Sequence, residues 1–226
     1  MSRIKVLLAE DNEDHRRLSP KAIAHADQAM RRAKRRGRNR VCTWEMAAFE
    51  QTVDQSRQRC SESPEACWRT MLSRCAPRLG PTKRDHLTAH SEYVSAMAVR
   101  IGRALSLEAE CIERLRIGGL FHDLGKFLIP EEVLAKPGAL SPEERVLLAR
   151  HAEAGAEMSR LLGADEETAR YVRYHHTDFG DRISRKEHPV PLGARILAVA
   201  DAFVAMTSER AYRCGRSFTA AFGELR

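Results

Sequence analysis

Residues 196–206 read ILAVADAFVAM, apolar in every direction around a helix, with one carboxylate, Asp201, at the centre. A helix that is hydrophobic all round belongs inside a protein, so the rest of the chain has to enclose it. Burying a carboxylate without compensation costs on the order of several kcal/mol. Asp201 is therefore expected to be protonated, ion-paired or metal-bound. Arg195 and Arg210 are the nearby candidates for an ion pair. Histidines in several other segments are candidates for a shared metal, and metal is the favoured reading.

The enclosure is predicted to be helical. Over 91–105, Val94, Met97, Ala98, Ile101 and Leu105 recur at the spacing of one helix face, and over 108–121 Ala109, Ile112, Leu115 and Leu120 do the same. Ser141, Pro142 and Glu144 make a helix start, with a capping hydroxyl, a proline in the first turn and an acid three residues on. That helix is predicted to run through His151 to about Leu162. Further helices are predicted over 165–176 and 191–208. No strand-like alternation competes with them, so residues 83–226 are read as an all-α helical bundle. Of the 226 residues 43% are hydrophobic, enough for a core of that size. No apolar run approaches the roughly 20 residues of a membrane span, and the first eight residues do not suit a secretory signal. The six cysteines include no Cys-x-x-Cys pair. Reduced thiols and a cytoplasmic location are expected.

Five places in this half carry side chains that suit a metal: His90, the adjacent His122 and Asp123, His151, the adjacent His175 and His176, and Asp201. Each lies at a predicted helix start, interior or end, which is how a bundle aims side chains into a shared cavity. Neighbours on a helix point about 100° apart. Each adjacent pair is therefore expected to flank or bridge two metals rather than grip one. Gly125 and Lys126 follow His122-Asp123 after Leu124, and a turn with a cation beside metal ligands suits a site that handles phosphate. His86 stands four residues before His90 and could face the same way, but is left outside the expected ligand set. His15, His25 and His188 lack such a context and are read as surface residues.

The net charge of +7 is unevenly placed. Residues 31–40 (RRAKRRGRNR) hold seven basic residues and no acid, whereas from Lys83 onward 21 basic residues face 21 acidic ones. A nucleic-acid partner is not expected, because that reading would rest on one short run. Residues 4–9 (IKVLLA) followed by Glu10 and Asp11 resemble the first strand of a response-regulator receiver domain. Residues 24–41 (AHADQAMRRAKRRGRNRV) resemble the closing helix and strand of a GGDEF domain. Residues 1–44 are thus expected to be a short α/β remnant of these two, and 45–82 a helical connector.

The second half resembles the HD-GYP family, the branch of HD-domain metal phosphohydrolases that opens cyclic di-GMP. The matching pieces are Asp85, Thr88, His90 and Ser91; His122, Asp123, Gly125 and Lys126 with Ile129-Pro130 and Lys136-Pro137-Gly138. After these come Leu140, Ser141, Glu143 and Glu144; His151 and Gly155; His175-His176; then Ala194-Arg195-Ile196-Leu197, Val199-Ala200-Asp201, Thr207-Ser208, Arg210 and Tyr212-Arg213. The resemblance implies an HD-domain bundle in which His90, His122, Asp123, His151, His175, His176 and Asp201 bind two or three divalent metal ions, iron or manganese. It implies that Asp123 and Lys126 are catalytic, and that Lys126, with Arg210 or Arg213, holds a substrate phosphate. The implied substrate is a cyclic dinucleotide, and signalling proteins such as GGDEF or receiver proteins are the implied partners.

The chain also departs from that pattern. After His176 it reads Thr177, then DFGDRI, without the Gly-Tyr-Pro that names the family, and Val204 stands where a second acid is expected. The sequence stops at Arg226 early in what should be another helix, so the 83–226 domain is read as C-terminally truncated. These departures motivate a second reading, a degenerate, non-catalytic module that binds a nucleotide or a protein partner.

Overall fold

The computed structural model describes residues 63–75, 79–177, 190–208 and 215–225, together with Phe49 and Val53. The chain separates into two units, Met1–Arg59 and Cys60–Arg226. The receiver-like and GGDEF-like segments lie outside the described residues, as do Arg210 and Arg213. Among the described residues every regular element is helical, and no helix is long and apolar enough to cross a membrane.

The second unit begins with α1 (Pro64–Cys75) and α2 (Pro81–Asp85). Helix α2 runs through a single π-helical turn (His86–His90) into α3 (Ser91–Ala104). The wider turn leaves backbone carbonyls without their usual partners. The hydroxyl of Ser91 donates to the His86 carbonyl at 2.6 Å and that of Thr88 to the Arg84 carbonyl at 2.6 Å. Then follow α4 (Ala109–Phe121), a 3₁₀ turn (Leu124–Leu128) and α5 (Glu131–Leu134). The remaining helices among the described residues are α6 (Pro142–Ala149), α7 (His151–Leu161), α8 (Glu166–Tyr174), α9 (Leu192–Thr207) and α10 (Phe218–Glu224).

The helix starts follow from the sequence. Ser141 caps α6 in a full capping box: its hydroxyl accepts from the Glu144 amide at 3.2 Å, and the Glu144 carboxylate accepts from the Ser141 amide at 2.7 Å. The Asp165 side chain caps α8 by accepting from the Thr168 amide at 2.7 Å. One expected helix is two. The segment from Ser141 to Leu162 breaks at Arg150, whose amide bonds the Leu147 carbonyl at 3.2 Å in a tightened turn. The chain redirects there, so His151 opens α7 rather than lying inside a longer helix.

The core of the bundle is Val94 and Ala98 of α3, Leu115 of α4, Tyr171 of α8, and Ile196, Leu197, Ala200 and Val204 of α9. Trp68 of α1 meets Phe121 of α4 edge-on, ring centroids 6.1 Å apart. Helix α9 is not enclosed on every side, as its all-round apolar pattern predicts. It buries the side bearing Ala194, Leu197 and Ala200 but leaves Val199 44% exposed, because it packs as an outer member of the bundle.

Two glycines bring backbones close enough to assemble the site. A methyl group on Gly119 of α4 would fall 2.5 Å from the Cα of Ser95 in α3. Close crossing there sets His122, one turn on, beside His90. A methyl on Gly125 would fall 1.9 Å from the His151 carbonyl oxygen. Backbone cannot yield as a flexible side chain does, so overpacking at this point must shift α7. Gly125→Ala is expected to destabilise the domain by about 1–3 kcal/mol, read as a lower denaturant midpoint in urea. The exposed Gly138, with nothing near its Cβ position but with φ +100°, provides a control for backbone strain without packing.

Candidate metal centre

Three histidines at helix ends share one orientation. Their Nδ1 atoms donate to the carbonyl three residues back: His122 to Gly119 at 2.8 Å, His151 to Leu148 at 2.6 Å and His175 to Val172 at 2.6 Å. Each bond fixes the tautomer and turns Nε2 inward. The three Nε2 atoms are buried without a hydrogen-bond partner, and so is Oδ1 of Asp123. Buried polar atoms nearly always find partners. Here four such atoms come together, and in the neutral rings all four are acceptors. Only a cation or protons can satisfy them.

Asp123 is the hub. It is 1% exposed, and its Oδ2 lies 2.6 Å from Lys126 Nζ, 3.1 Å from His86 Nδ1 and 3.4 Å from His122 Nε2. Its Oδ1 lies 3.5 Å from His151 Nε2. On the other side His90 Nε2 lies 3.0 Å from Asp201 Oδ1. The rings of His175 and His176 stand 4.0 Å apart, and His151 is 5.0 Å from His176.

Three overlapping donor groups result: Asp123, His151, His175 and His176; His86, His90 and Asp123; and His90, His122 and Asp201. Within each, the donor atoms lie within 4.8 Å of one another. Nitrogen and oxygen donors bind divalent ions at about 2.0–2.2 Å, so opposite ligands stand a little over 4 Å apart. Slight side-chain rotation would therefore close any of the groups on an ion. The mixture of imidazole and carboxylate suits first-row transition metals. The residues present fit a cluster of divalent ions.

The electrostatics agree with that use. Burial opposes charge on the His151 ring more than Asp123 favours it, leaving its pKa at about 4. Burial likewise lowers His86, His175 and His176. These rings are neutral near pH 7 and offer lone pairs. At His122 burial is outweighed by Asp123, with a further contribution from Asp201, and the pKa rises. Burial also opposes ionisation of Asp123, yet His122 and Lys126 hold its carboxyl well below the usual range. Asp201 is lowered too, its burial offset by the His90 hydrogen bond and by His122.

The structure thus brings His90, His122, Asp123, Lys126, His151, His175, His176 and Asp201 into one site. Asp201 meets His90, whose Nε2 lies 3.0 Å from its Oδ1, while Arg210 lies outside the described residues. Asp201 is also 20% exposed at its side chain rather than fully enclosed. His86, left out on sequence grounds, belongs to the cluster through Asp123 and Lys126. Its signal was the four-residue spacing to His90, and the π turn sets the two rings 5.4 Å apart. The 100° divergence expected of His122 and Asp123 does not apply. Helix α4 ends at Phe121, and Asp123 leaves helical geometry at φ −96°, ψ 6°, which swings its carboxylate back toward the ring.

A proton on His122 competes with a metal for Nε2. Manganese affinity is therefore expected to fall by more than about tenfold between pH 8 and pH 5.5, with proton release on binding measurable in weakly buffered solution. His122→Ala should weaken binding by at least about a hundredfold, read by equilibrium dialysis with metal analysis.

The HD domain family pattern matches residues 74–226. Over 143 residues the chain is 31% identical to the cyclic di-GMP phosphodiesterase of Thermotoga maritima, covering 60% of this chain and 38% of that protein. It is 29% identical over 144 residues to the 3'3'-cGAMP-specific phosphodiesterase 1 of Vibrio cholerae, covering 61% and 32%. It is 32% identical over 145 residues to the cyclic di-GMP phosphodiesterase response regulator RpfG of Xanthomonas campestris, covering 61% and 38%. The chain therefore spans roughly a third of the length of these curated relatives. The matched region contains every residue of the cluster just described, and on that match the chain belongs to the HD domain family.

Proposed function

We propose that this chain is a metal-dependent phosphodiesterase of the HD-GYP branch, acting on a cyclic dinucleotide with two or three bound divalent ions, iron or manganese. The observation that carries the reading is the convergence of four buried acceptors, His122 Nε2, His151 Nε2, His175 Nε2 and Asp123 Oδ1, with no donor to meet them. The relatives named as cyclic di-GMP and 3'3'-cGAMP phosphodiesterases support the substrate class.

A phosphodiester is an anion with a poor leaving group. Bound divalent ions would neutralise its charge and lower the pKa of an attacking water. The chain's own residues do the rest. The backbone bonds of His122, His151 and His175 hold three rings in one tautomer and one direction. Asp123 stays ionised because Lys126 and His122 stand beside it. Lys126 has three N–H donors. One serves Asp123 at 2.6 Å, and another is free to reach a phosphate oxygen as negative charge builds there. His86 Nδ1 lies within 3.2 Å of both Asp123 Oδ2 and Lys126 Nζ. One ring nitrogen cannot donate to the first and accept from the second together, so His86 can pass between the two as the lysine engages substrate. Arg210 or Arg213 would add a further phosphate contact, and a GGDEF or receiver protein would be a natural signalling partner.

The manganese- or iron-loaded protein is expected to convert cyclic di-GMP or 3'3'-cGAMP to a linear product, followed by chromatography. Lys126→Ala should lower kcat by roughly 10²–10³-fold with metal content retained. Tight nucleotide binding without turnover under both metals would instead favour the non-catalytic module, a reading motivated by the missing Gly-Tyr-Pro after His176. Metal content near zero in anaerobically purified protein would refute both the centre and the activity.

A further inference from the structure

A groove of about 510 Å³ lies between α3, α9 and α10, and His90 forms part of its wall. That volume falls within the range of small-molecule sites, roughly 300–1,000 Å³. From the end of the π turn along α3 the groove is lined by His90, Tyr93, Met97 and Arg100. This is a stripe at three- and four-residue spacing, hence one face of the helix. It runs from the metal centre to a cation ten residues on, about 15 Å along the axis at 1.5 Å per residue. The opposite wall is aromatic. Phe203 of α9 stacks on Phe218 of α10, centroids 5.7 Å apart and planes 17° apart. Both line the groove. Phe218 is 66% exposed and Tyr93 64% exposed, so two aromatic surfaces flank the opening without covering each other.

We propose that this groove is the base-binding subsite of the enzyme and that it selects guanine, with Arg100 as the residue that reads the base. The proposal rests on the phosphodiesterase reading above, because it places the scissile phosphate at the cluster that His90 joins. A base attached to that phosphate enters the groove beside Tyr93 and lies against the Phe218 ring. Stacking on an aromatic face is open to every base, so it supplies affinity and no discrimination. Discrimination comes from the far end. The guanidinium fork of Arg100 matches the O6 and N7 acceptors on one edge of guanine. Adenine offers N7 beside an amino group on that edge, and the amino group cannot accept. The 15 Å from His90 to Arg100 leaves room for ribose, base and the returning arginine side chain. Continuity with the metal centre, the single cation at the end of the α3 stripe and the two exposed aromatics favour a nucleotide over an apolar peptide.

The test is calorimetric binding of GMP, AMP and ribose 5-phosphate to the manganese-loaded full chain. Ribose 5-phosphate reports the metal centre alone, and the gain from adding a base reports the groove. GMP should bind more tightly than AMP, and both more tightly than ribose 5-phosphate. Arg100→Gln should weaken GMP by roughly tenfold and bring it to the level of AMP, with ribose 5-phosphate and manganese content unchanged. Phe218→Ala should weaken GMP and AMP alike, again sparing ribose 5-phosphate. If ribose 5-phosphate binds as well as GMP, or if Arg100→Gln leaves the GMP-to-AMP ratio where it was, the groove has another occupant and the proposal is overturned while the metal centre stands. If no phosphate probe binds the manganese-loaded protein, the phosphodiesterase reading falls as well.

Discussion

The site depends on one arrangement: acceptors facing acceptors in a buried space. His122, His151 and His175 each donate Nδ1–H to the carbonyl one turn back, and that bond spends the only proton of a neutral ring on the outer side. The inner nitrogens then point at one another and at Asp123. Such a grouping works against folding in a dry interior, because lone pairs repel and these inner nitrogens and Asp123 Oδ1 meet no donor. It becomes favourable once positive charge occupies the space. The fold therefore carries a local cost that a divalent ion removes, and binding such an ion to the native state stabilises the fold by mass action.

The scaffold around this arrangement is built from interruptions. Helix α4 ends at Phe121 so that Asp123 can turn back toward His122. The Ser141–Leu162 segment breaks at Arg150 so that His151 opens a helix and meets the Gly125 turn at backbone distance. The π turn at His86–His90 sets two imidazoles on one side and is closed by the Ser91 and Thr88 hydroxyls. Helix ends leave backbone carbonyls free, and it is those carbonyls that orient the rings of His122 and His175 at the ends of α4 and α8. Regular helix interiors supply the core of Val94, Leu115, Leu197 and Ala200, and their ends supply the chemistry.

That division explains what the sequence disclosed. Periodic apolar spacing and the Ser141 cap predict the helices well, because local hydrogen bonds and burial on one face decide them. The ligand types were legible as histidines and aspartates in five segments, and the structure brings all of these into one cluster. The interruptions were not legible. No proline or glycine stands beside the break at Arg150, which arises where α7 must meet Gly125. The place of His86 depended on a π turn that has no local sequence mark. The convergence of His122 with Asp123 depended on where α4 stops to the residue. Each of these is set by tertiary packing, which periodicity does not report.

Burial within the cluster is graded, and the gradient gives the site a direction. His122, Asp123 and His175 are sealed, and His151 nearly so, whereas Asp201 is part-exposed, and His176 is exposed. Sealed ligands lose no freedom when an ion arrives and keep water from competing for it. Rim ligands leave coordination open to a ligand from solution, which is the difference between a structural and a reactive metal site. The apolar helix α9 explains why the rim lies where it does. It buries Leu197 and Ala200 against the core and turns Val199 outward, so Asp201 lies between those two faces at the edge of the bundle. A carboxylate at that edge can bind an ion held by His90 and His122 and still face an incoming anion. The same helix, one turn on, carries Phe203 and Val204 into the groove beside His90. One helix thus ties the rim of the metal centre to the surface next to it.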